Sequence, residues 1–410
     1  MSLETKNLSL SQPINPALLE EVAEVLSRRF DTLIQIESAV ALSERARRNL
    51  ILRIKLQNSP KGCPESVILK QSLRETSEND QEIFDRFARD WAGLEFSNEF
   101  KTKIPLTPKF YAGSLKFRFI LMEDLGEVYT SLVDALTGHS KTEALSALTR
   151  YMQVIAQLHG LGSKHVKNYT TKLQALSPTP LPWLESAEET RSKTLRILEK
   201  FKIPFTASLG TEITSVFKIV NDPGPFTTLI HGDICPDNVF DDSTHNDMRI
   251  IDFEWGFVGN ALLDAVYLRM CMPTCWCAKV FPEKVIDLFD PLYRKELMKH
   301  LPSASCDVLY YQSYAAACAY WMLGRISNLE DVLEKDNDLS DPKYANLHPN
   351  WKPEDNQQRP RTLYRLQAFV LVSEKYDLYP SLRAMAQAVL KELEPLWKDT
   401  EPLAVYQAFQ

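Results

Sequence analysis

Apolar and polar residues recur with changing periods along the chain, and each change of period marks an element. After Asn15-Pro16, a capping residue followed by proline at the first helical position, Leu18, Leu19, Val22, Val25 and Leu26 recur at helical spacing. They predict an opening amphipathic helix. The period then falls to two. Leu33 to Leu42 reads as a strand, and from Asn49 to Leu56 the residues Leu50, Leu52, Ile54 and Leu56 alternate with Ile51, Arg53 and Lys55. A turn containing Pro60, Gly62 and Pro64 leads into SVILKQS, so antiparallel strands joined by short polar turns are expected. From Gln81 to Phe96 the stripe Ile83, Phe87, Trp91 and Leu94 predicts a second helix, with Asp90 and Glu95 flanking it on opposite sides. The connection IPLTPKFYAG then leads to a strand over Phe117 to Gly126.

The rest of the chain reads mostly helical. Leu148, Tyr151, Ile155, Leu158 and Leu161 define an amphipathic helix ending at HGLG, whose glycines suit a C-cap and whose His159 reads as structural. A Pro-rich loop follows, then helices from Glu185 to Lys202 and from Thr211 to Val220. Short apolar runs interrupt this pattern: Leu229-Ile230, Val239-Phe240, and Met248 to Phe253 after the polar turn DDSTHND. Together they read as strand, loop, strand, with Asp252 returning near Asn238. Asp336 to Arg361 is a polar loop, and helix is expected from Thr362 onward. Strands followed by helices give an α+β class.

Composition narrows the function classes. At 410 residues, 44% hydrophobic and 25% charged, the chain has the make-up of an ordinary globular protein. Lys plus Arg total 47 against 54 acids, a net charge of −7, which gives no support to nucleic acid as a partner. No apolar run approaches a membrane span, and MSLETKNLSLSQ lacks the features of a signal peptide, so the expectation is a cytoplasmic protein with no membrane partner. Cys271, Cys275 and Cys277 have no standard zinc spacing and read as buried structural thiols.

The candidate chemistry lies in HGDICPDN and IIDFEW. Asp233, Asn238 and Asp252 each stand beside an apolar strand, in an order that suits phosphoryl transfer. An attacking oxygen and a metal-bound phosphate must sit within a few ångströms, and a short loop containing Pro236 holds its donors at little entropic cost. Taken singly, each residue also suits a turn or a helix cap.

On these residues the chain resembles the aminoglycoside phosphotransferase and choline kinase family, with His231-Gly232-Asp233 where protein kinases have HRD and Asp252-Phe253-Glu254 where they have DFG. The resemblance implies a two-lobed protein-kinase-like α+β fold, with a small antiparallel-sheet lobe over residues 1 to 125 and a large, mostly helical lobe over 126 to 410. It implies ATP and Mg2+ as cofactors and transfer of the γ-phosphate to a hydroxyl of a small molecule. Asp233 would orient that hydroxyl and His231 would hold the loop. Asn238 and Asp252 would bind magnesium, and Lys70 would contact the α- and β-phosphates. Periodicity leaves both Asp90 and Glu95 open as the partner of Lys70; the resemblance points to Asp90. Ser43, in a first turn that lacks glycine, would help hold phosphate, and backbone groups near Glu123 and Leu125 would meet the adenine edge. The acceptor and the oligomeric state are not readable from sequence. A nucleotide-binding pseudokinase is the rival reading, favoured by the missing glycine loop and opposed by the retained Asp233, Asn238 and Asp252.

Overall fold

The structure, a computed structural model, describes residues 14–42, 48–57, 62–74, 78–182, 184, 186–334 and 357–410. It divides into two compact units. The first is the chain up to Tyr129 with Lys167–Leu181 and Arg249–Gly256; the second is Thr130–Val166, Pro182–Met248 and Phe257–Gln410. The fold class is α+β, with antiparallel sheet in the first unit and mostly helix in the second. A boundary at 125/126 is the expectation from sequence. The chain first changes unit after Tyr129, and two later segments return to the first unit.

The first unit is built on five strands: β1 (Ile36–Ala41), β2 (Asn49–Leu56), β3 (Ser66–Ser72), β4 (Phe110–Ser114) and β5 (Phe119–Glu123), in the order β1-β2-β3-β5-β4. All neighbours are antiparallel. Period-two alternation divides the side chains between faces. Leu52, Ile54, Val67, Leu69 and Leu121 pack with Leu18, Val22 and Leu26 of α1 (Pro16–Phe30). Ile68, Ile120 and Met122 face Phe87 and Leu94 of α2 (Asp80–Ser97). Lys70 has the parity of Ile68 and so points toward α2. That helix starts in a capping box: Asn79 accepts from the Gln81 and Glu82 amides, and Glu82 accepts from the Asn79 amide. β4 falls where sequence predicts only a connection. Pro108 and the small residues Ala112 and Gly113 hide its alternation, and Gly113 is needed because a Cβ there would come within 2.3 Å of the Trp91 ring.

In the second unit, β6 (Thr130–Ser131) precedes α3 (Leu132–Thr137) and α4 (Lys141–Gly162). Next come α5 (Val166–Leu176), most of which belongs to the first unit, then α6 (Ala187–Lys200) and α7 (Ala207–Asn221). β7 (Thr227–Ile230), β8 (Val239–Asp242), β9 (Asp247–Ile250), whose last two residues belong to the first unit, and β10 (Phe257–Asn260) follow; β7 pairs with β10, and β6 with β8. α8 (Leu262–Ala265), α9 (Glu283–Met298), α10 (Asp307–Ser327), α11 (Leu329–Glu334), α12 (Gln358–Tyr376) and α13 (Pro380–Leu396) complete it. α12 starts before the expected Thr362, with Pro360 in its first turn, where a missing N–H breaks no helical bond. Cys275 and Cys277 are joined as a disulfide, which corrects the reading of three thiols; Cys271 remains a thiol, pushed up to about 11 by burial. Among the described residues no helix is long and apolar enough to cross a membrane.

Candidate active site

In the first unit, β3, α2 and the segment after β9 bring one cation and three acids together. Lys70 is 5% exposed, and its Nζ lies 2.7 Å from Asp90 Oδ2, 2.6 Å from Asp252 Oδ1 and 3.9 Å from Glu254 Oε2. Burial opposes its charge. The carboxylates of Asp252, Asp90 and Glu254 outweigh that and hold the amine protonated, with its pKa raised. Although aspartate is a methylene shorter than glutamate, Asp90 reaches Lys70 directly, and its Oδ1 accepts the Phe253 amide at 2.8 Å. Burial, opposed by Lys70 and helped by Asp252, holds the Asp90 carboxyl up, at about 6. Glu95 turns elsewhere, to the Trp91 indole and Lys172, both at 2.9 Å.

Asp252 has φ 69°, a left-handed conformation that costs a non-glycine residue roughly 1 kcal/mol or more. The backbone there is held by Phe253, whose Cβ would stand 2.5 Å from any Cβ at Gly93 of α2. Asp252 gives Oδ1 to Lys70. Its Oδ2 has no donor among the described residues, and the side chain is 23% exposed.

Glu254 carries a role that sequence reasoning missed. It is 2% exposed and receives Arg48 at 2.7 Å, Arg86 at 3.0 Å and Asn49 at 3.2 Å. Burial pushes this carboxyl up, but Lys70, Arg48 and Arg86 outweigh it and bring it down to about 2. A carboxyl lowered from 4.5 to about 2 gives stability that is complete above pH 4.5 and is lost as pH falls toward 2. Acid titration followed by tryptophan fluorescence should therefore show an unfolding limb in that window; Glu254→Gln should be less stable at pH 7 and should flatten the limb. A limb of unchanged steepness would count against this role.

Arg48 is engaged by Glu254 and lies over the Trp255 ring at 5.0 Å. Ser43, Arg45 and Arg47 lie outside the described residues. Glu123 ends β5: its amide donates to the Lys109 carbonyl at 2.8 Å, and its side chain accepts the Lys109 amide at 3.0 Å. Leu125 is half-buried in the turn that follows, where Asp124 is tied to Arg53 and Ser66 at 2.7 Å and to the Gly126 amide at 3.0 Å.

In the second unit the His231-Gly232-Asp233 loop hangs from Asp264. This carboxylate accepts the His231 amide at 2.6 Å and the Gly232 amide at 3.1 Å, and contacts His159 Nε2 at 3.1 Å. The His159 Nδ1 in turn meets the Tyr293 hydroxyl at 2.7 Å. His231 is fully buried, and its Nδ1 accepts the Asp233 amide at 3.3 Å, so it holds the loop from within. Asp233 Oδ1 accepts from the Thr274 hydroxyl and from Cys235 Sγ at 3.0 Å. Its Oδ2 lies 3.3 Å from Asn238 Nδ2, which also donates to the Asp233 carbonyl at 2.8 Å. That spends the Asn238 amide nitrogen on Asp233 and leaves Oδ1 without a donor among the described residues. Thr274, and Tyr267 at 3.2 Å behind it, were not found from sequence; lying 41 residues downstream of Asp233, Thr274 gives no local signal.

The first unit buries a lysine among carboxylates, and the second presents a braced HGD loop. The chain belongs to the phosphotransferase enzyme family, whose sequence pattern matches residues 46–290. Among solved structures it is similar to choline kinase LicA from Streptococcus pneumoniae (12% identity, 86% of this chain and 99% of that one, TM-score 0.41). It is also similar to an ethanolamine kinase from Plasmodium vivax (11%, 92% of each chain, 0.45) and to the GDP complex of aminoglycoside 2'-phosphotransferase-IIIa (13%, 87% and 99%, 0.40). A comparison with curated proteins gives no match.

Proposed function

We propose that the chain transfers the γ-phosphate of ATP, bound with magnesium, to a hydroxyl of a small molecule. The observation that carries the reading is Asp252: one oxygen is fixed by a buried, charged lysine and the other is left without a donor. Asp252 Oδ2 in the first unit and Asn238 Oδ1 in the second are hard oxygen donors of the kind magnesium takes. Magnesium, when bound, supplies charge compensation to the phosphates. Lys70 contributes a fixed positive charge for phosphate oxygens, with Asp90 setting its position. Asp233 orients the acceptor hydroxyl and takes its proton; Thr274 and Asn238 fix the carboxylate plane for that task. Glu123 and Leu125 offer backbone groups to the adenine edge. A cytoplasmic location, where ATP is abundant, goes with this reading.

That Asp252 already spends an oxygen on Lys70 favours one second reading, a nucleotide-binding module with weak turnover. Purified protein given magnesium-ATP and a panel of hydroxylated metabolites should release ADP only with particular acceptors. Asp252→Ala should weaken magnesium-nucleotide binding about 10- to 100-fold by calorimetry. Tight binding with no acceptor-dependent ADP release across a broad panel would favour the module.

A further inference from the structure

Asp233, Cys235 and Asp237 turn their side chains to one segment of the second unit, the strap Thr274-Cys275-Trp276. The Thr274 hydroxyl donates to Asp233 Oδ1, and Cys235 Sγ lies 3.2 Å from Thr274 Oγ1 and within 4.8 Å of Cys275 Sγ. The Trp276 indole donates to Asp237 Oδ2 at 2.5 Å. The main chain of the loop is fixed separately: Tyr267 donates to the Gly232 carbonyl at 2.9 Å and Tyr151 to the Ile234 carbonyl at 2.7 Å. Those bonds set where Asp233 starts, and the strap helps to set where its carboxylate points.

The strap is itself held from α12. Arg361 and Arg365, one turn apart and so on one face of that helix, are 4% and 2% exposed. Arg361 donates to the Cys275 and Trp276 carbonyls at 2.9 and 2.7 Å. Arg365 donates to the Met270 carbonyl at 3.0 Å and to those of Cys271 and Met272 at 3.2 Å. Cys271 and Met272 have φ 55° and 45°, two left-handed residues in succession, a conformation unfavourable to any residue with a Cβ and kept only where its surroundings impose it. Burial and the Arg361 charge bring Arg365 down to about 10, so two like charges stand side by side out of water. A strained turn and two buried cations are both costly, and what they secure together is the place of Thr274 and Trp276.

We propose that Arg361 and Arg365 are positioning residues for phosphoryl transfer, acting through the Thr274–Trp276 strap on the Asp233 carboxylate. The effect on rate rests on the phosphotransferase reading, but the hold of the strap on the loop can be measured without turnover. Cys235 is 2% exposed between loop and strap, so its alkylation reports release of the strap; Cys318, fully buried in α10, reports general loosening.

The test treats wild type, Arg361→Gln, Arg365→Gln and Trp276→Phe with N-ethylmaleimide, without reductant so that the Cys275–Cys277 disulfide stays closed, and follows alkylation peptide by peptide by mass spectrometry. In each variant Cys235 should react about tenfold faster or more, the scale of one lost hydrogen bond to a charged group, with Cys318 at the wild-type rate. ADP release from magnesium-ATP, with water and with the best hydroxylated acceptor, should show kcat lowered about tenfold or more and KM for magnesium-ATP within about twofold of wild type. Arg361→Lys, which keeps a cationic donor, should recover part of both losses. Trp276→Phe, which keeps a half-buried ring and removes only its N–H, decides the matter if the arginine variants fail to fold. An unchanged Cys235 rate or an unchanged kcat in the folded variants overturns the proposal, as does equal acceleration of Cys235 and Cys318, or a loss carried by KM alone. A wild type without turnover on any acceptor would instead remove the phosphotransferase reading, and Cys235 alkylation would then decide the role of the strap by itself.

Discussion

Asp233→Asn is expected to lower phosphoryl transfer about 10³-fold, within the range for loss of a positioned general base, while nucleotide affinity stays within about twofold of wild type. The asparagine keeps the size of the side chain and can still accept from Thr274 and Cys235 through its carbonyl oxygen. Its amide nitrogen then takes the place of Oδ2, which lies 3.3 Å from Asn238 Nδ2, so two donors face each other where a donor met an acceptor. What is lost is the group that can take a proton from the acceptor. Initial rates of ADP release with the best acceptor, beside calorimetric titration with magnesium-ATP, separate these effects. Equal turnover in the two proteins would remove Asp233 from the mechanism.

Lys70→Met is expected to destabilise the first unit by about 3–5 kcal/mol, the range for removing one partner from a buried ion pair. Asp90, Asp252 and Glu254 lie within 3.9 Å of the ammonium, and Asp90 and Glu254 are almost wholly buried, so no water replaces it. The loss should depend on pH. Asp90 is already raised to about 6 in the folded chain, above its ordinary 3.8, so the folded state binds that proton more readily than the unfolded state does. The destabilisation should therefore be greatest above pH 6 and shrink as pH falls through that value. Thermal unfolding at pH 7.5 and pH 5, with the double variant Lys70→Met/Asp90→Asn recovering part of the loss, measures it. An unchanged midpoint at pH 7.5 would show that Lys70 does not neutralise this cluster. Nucleotide binding should weaken as well, since the same amine is proposed to meet phosphate.

What sequence disclosed, it disclosed through local patterns. The alternation of Leu50, Leu52, Ile54 and Leu56 specifies a strand wherever it occurs, and Asn15-Pro16 specifies a helix start. HGDICPDN and IIDFEW stand out because polar residues of rare type interrupt apolar strands. Pairings over long separations left no such trace. Asp90 and Glu95 flank one helical stripe, so periodicity could not choose between them; the resemblance pointed to Asp90, and Lys70 lies on that side. Glu254 looked like a substitute for a glycine; its partners Arg48 and Arg86 are 206 and 168 residues away. α5 has an amphipathic pattern that suits either unit, yet Tyr169 donates to the Gly256 carbonyl and Lys172 meets Glu95, both in the first.

The contact of Gly93 with Phe253 bears on how such a cluster could drift. Gly93 has no side chain to ionise, yet the hollow it leaves fixes where Phe253 seats and thereby where its neighbour Asp252 stands. An alanine there would displace an acid without altering a single ionisable group. The proposed cation affinity would thus have a silent dial, a position whose volume rather than its chemistry sets the spacing between opposite charges.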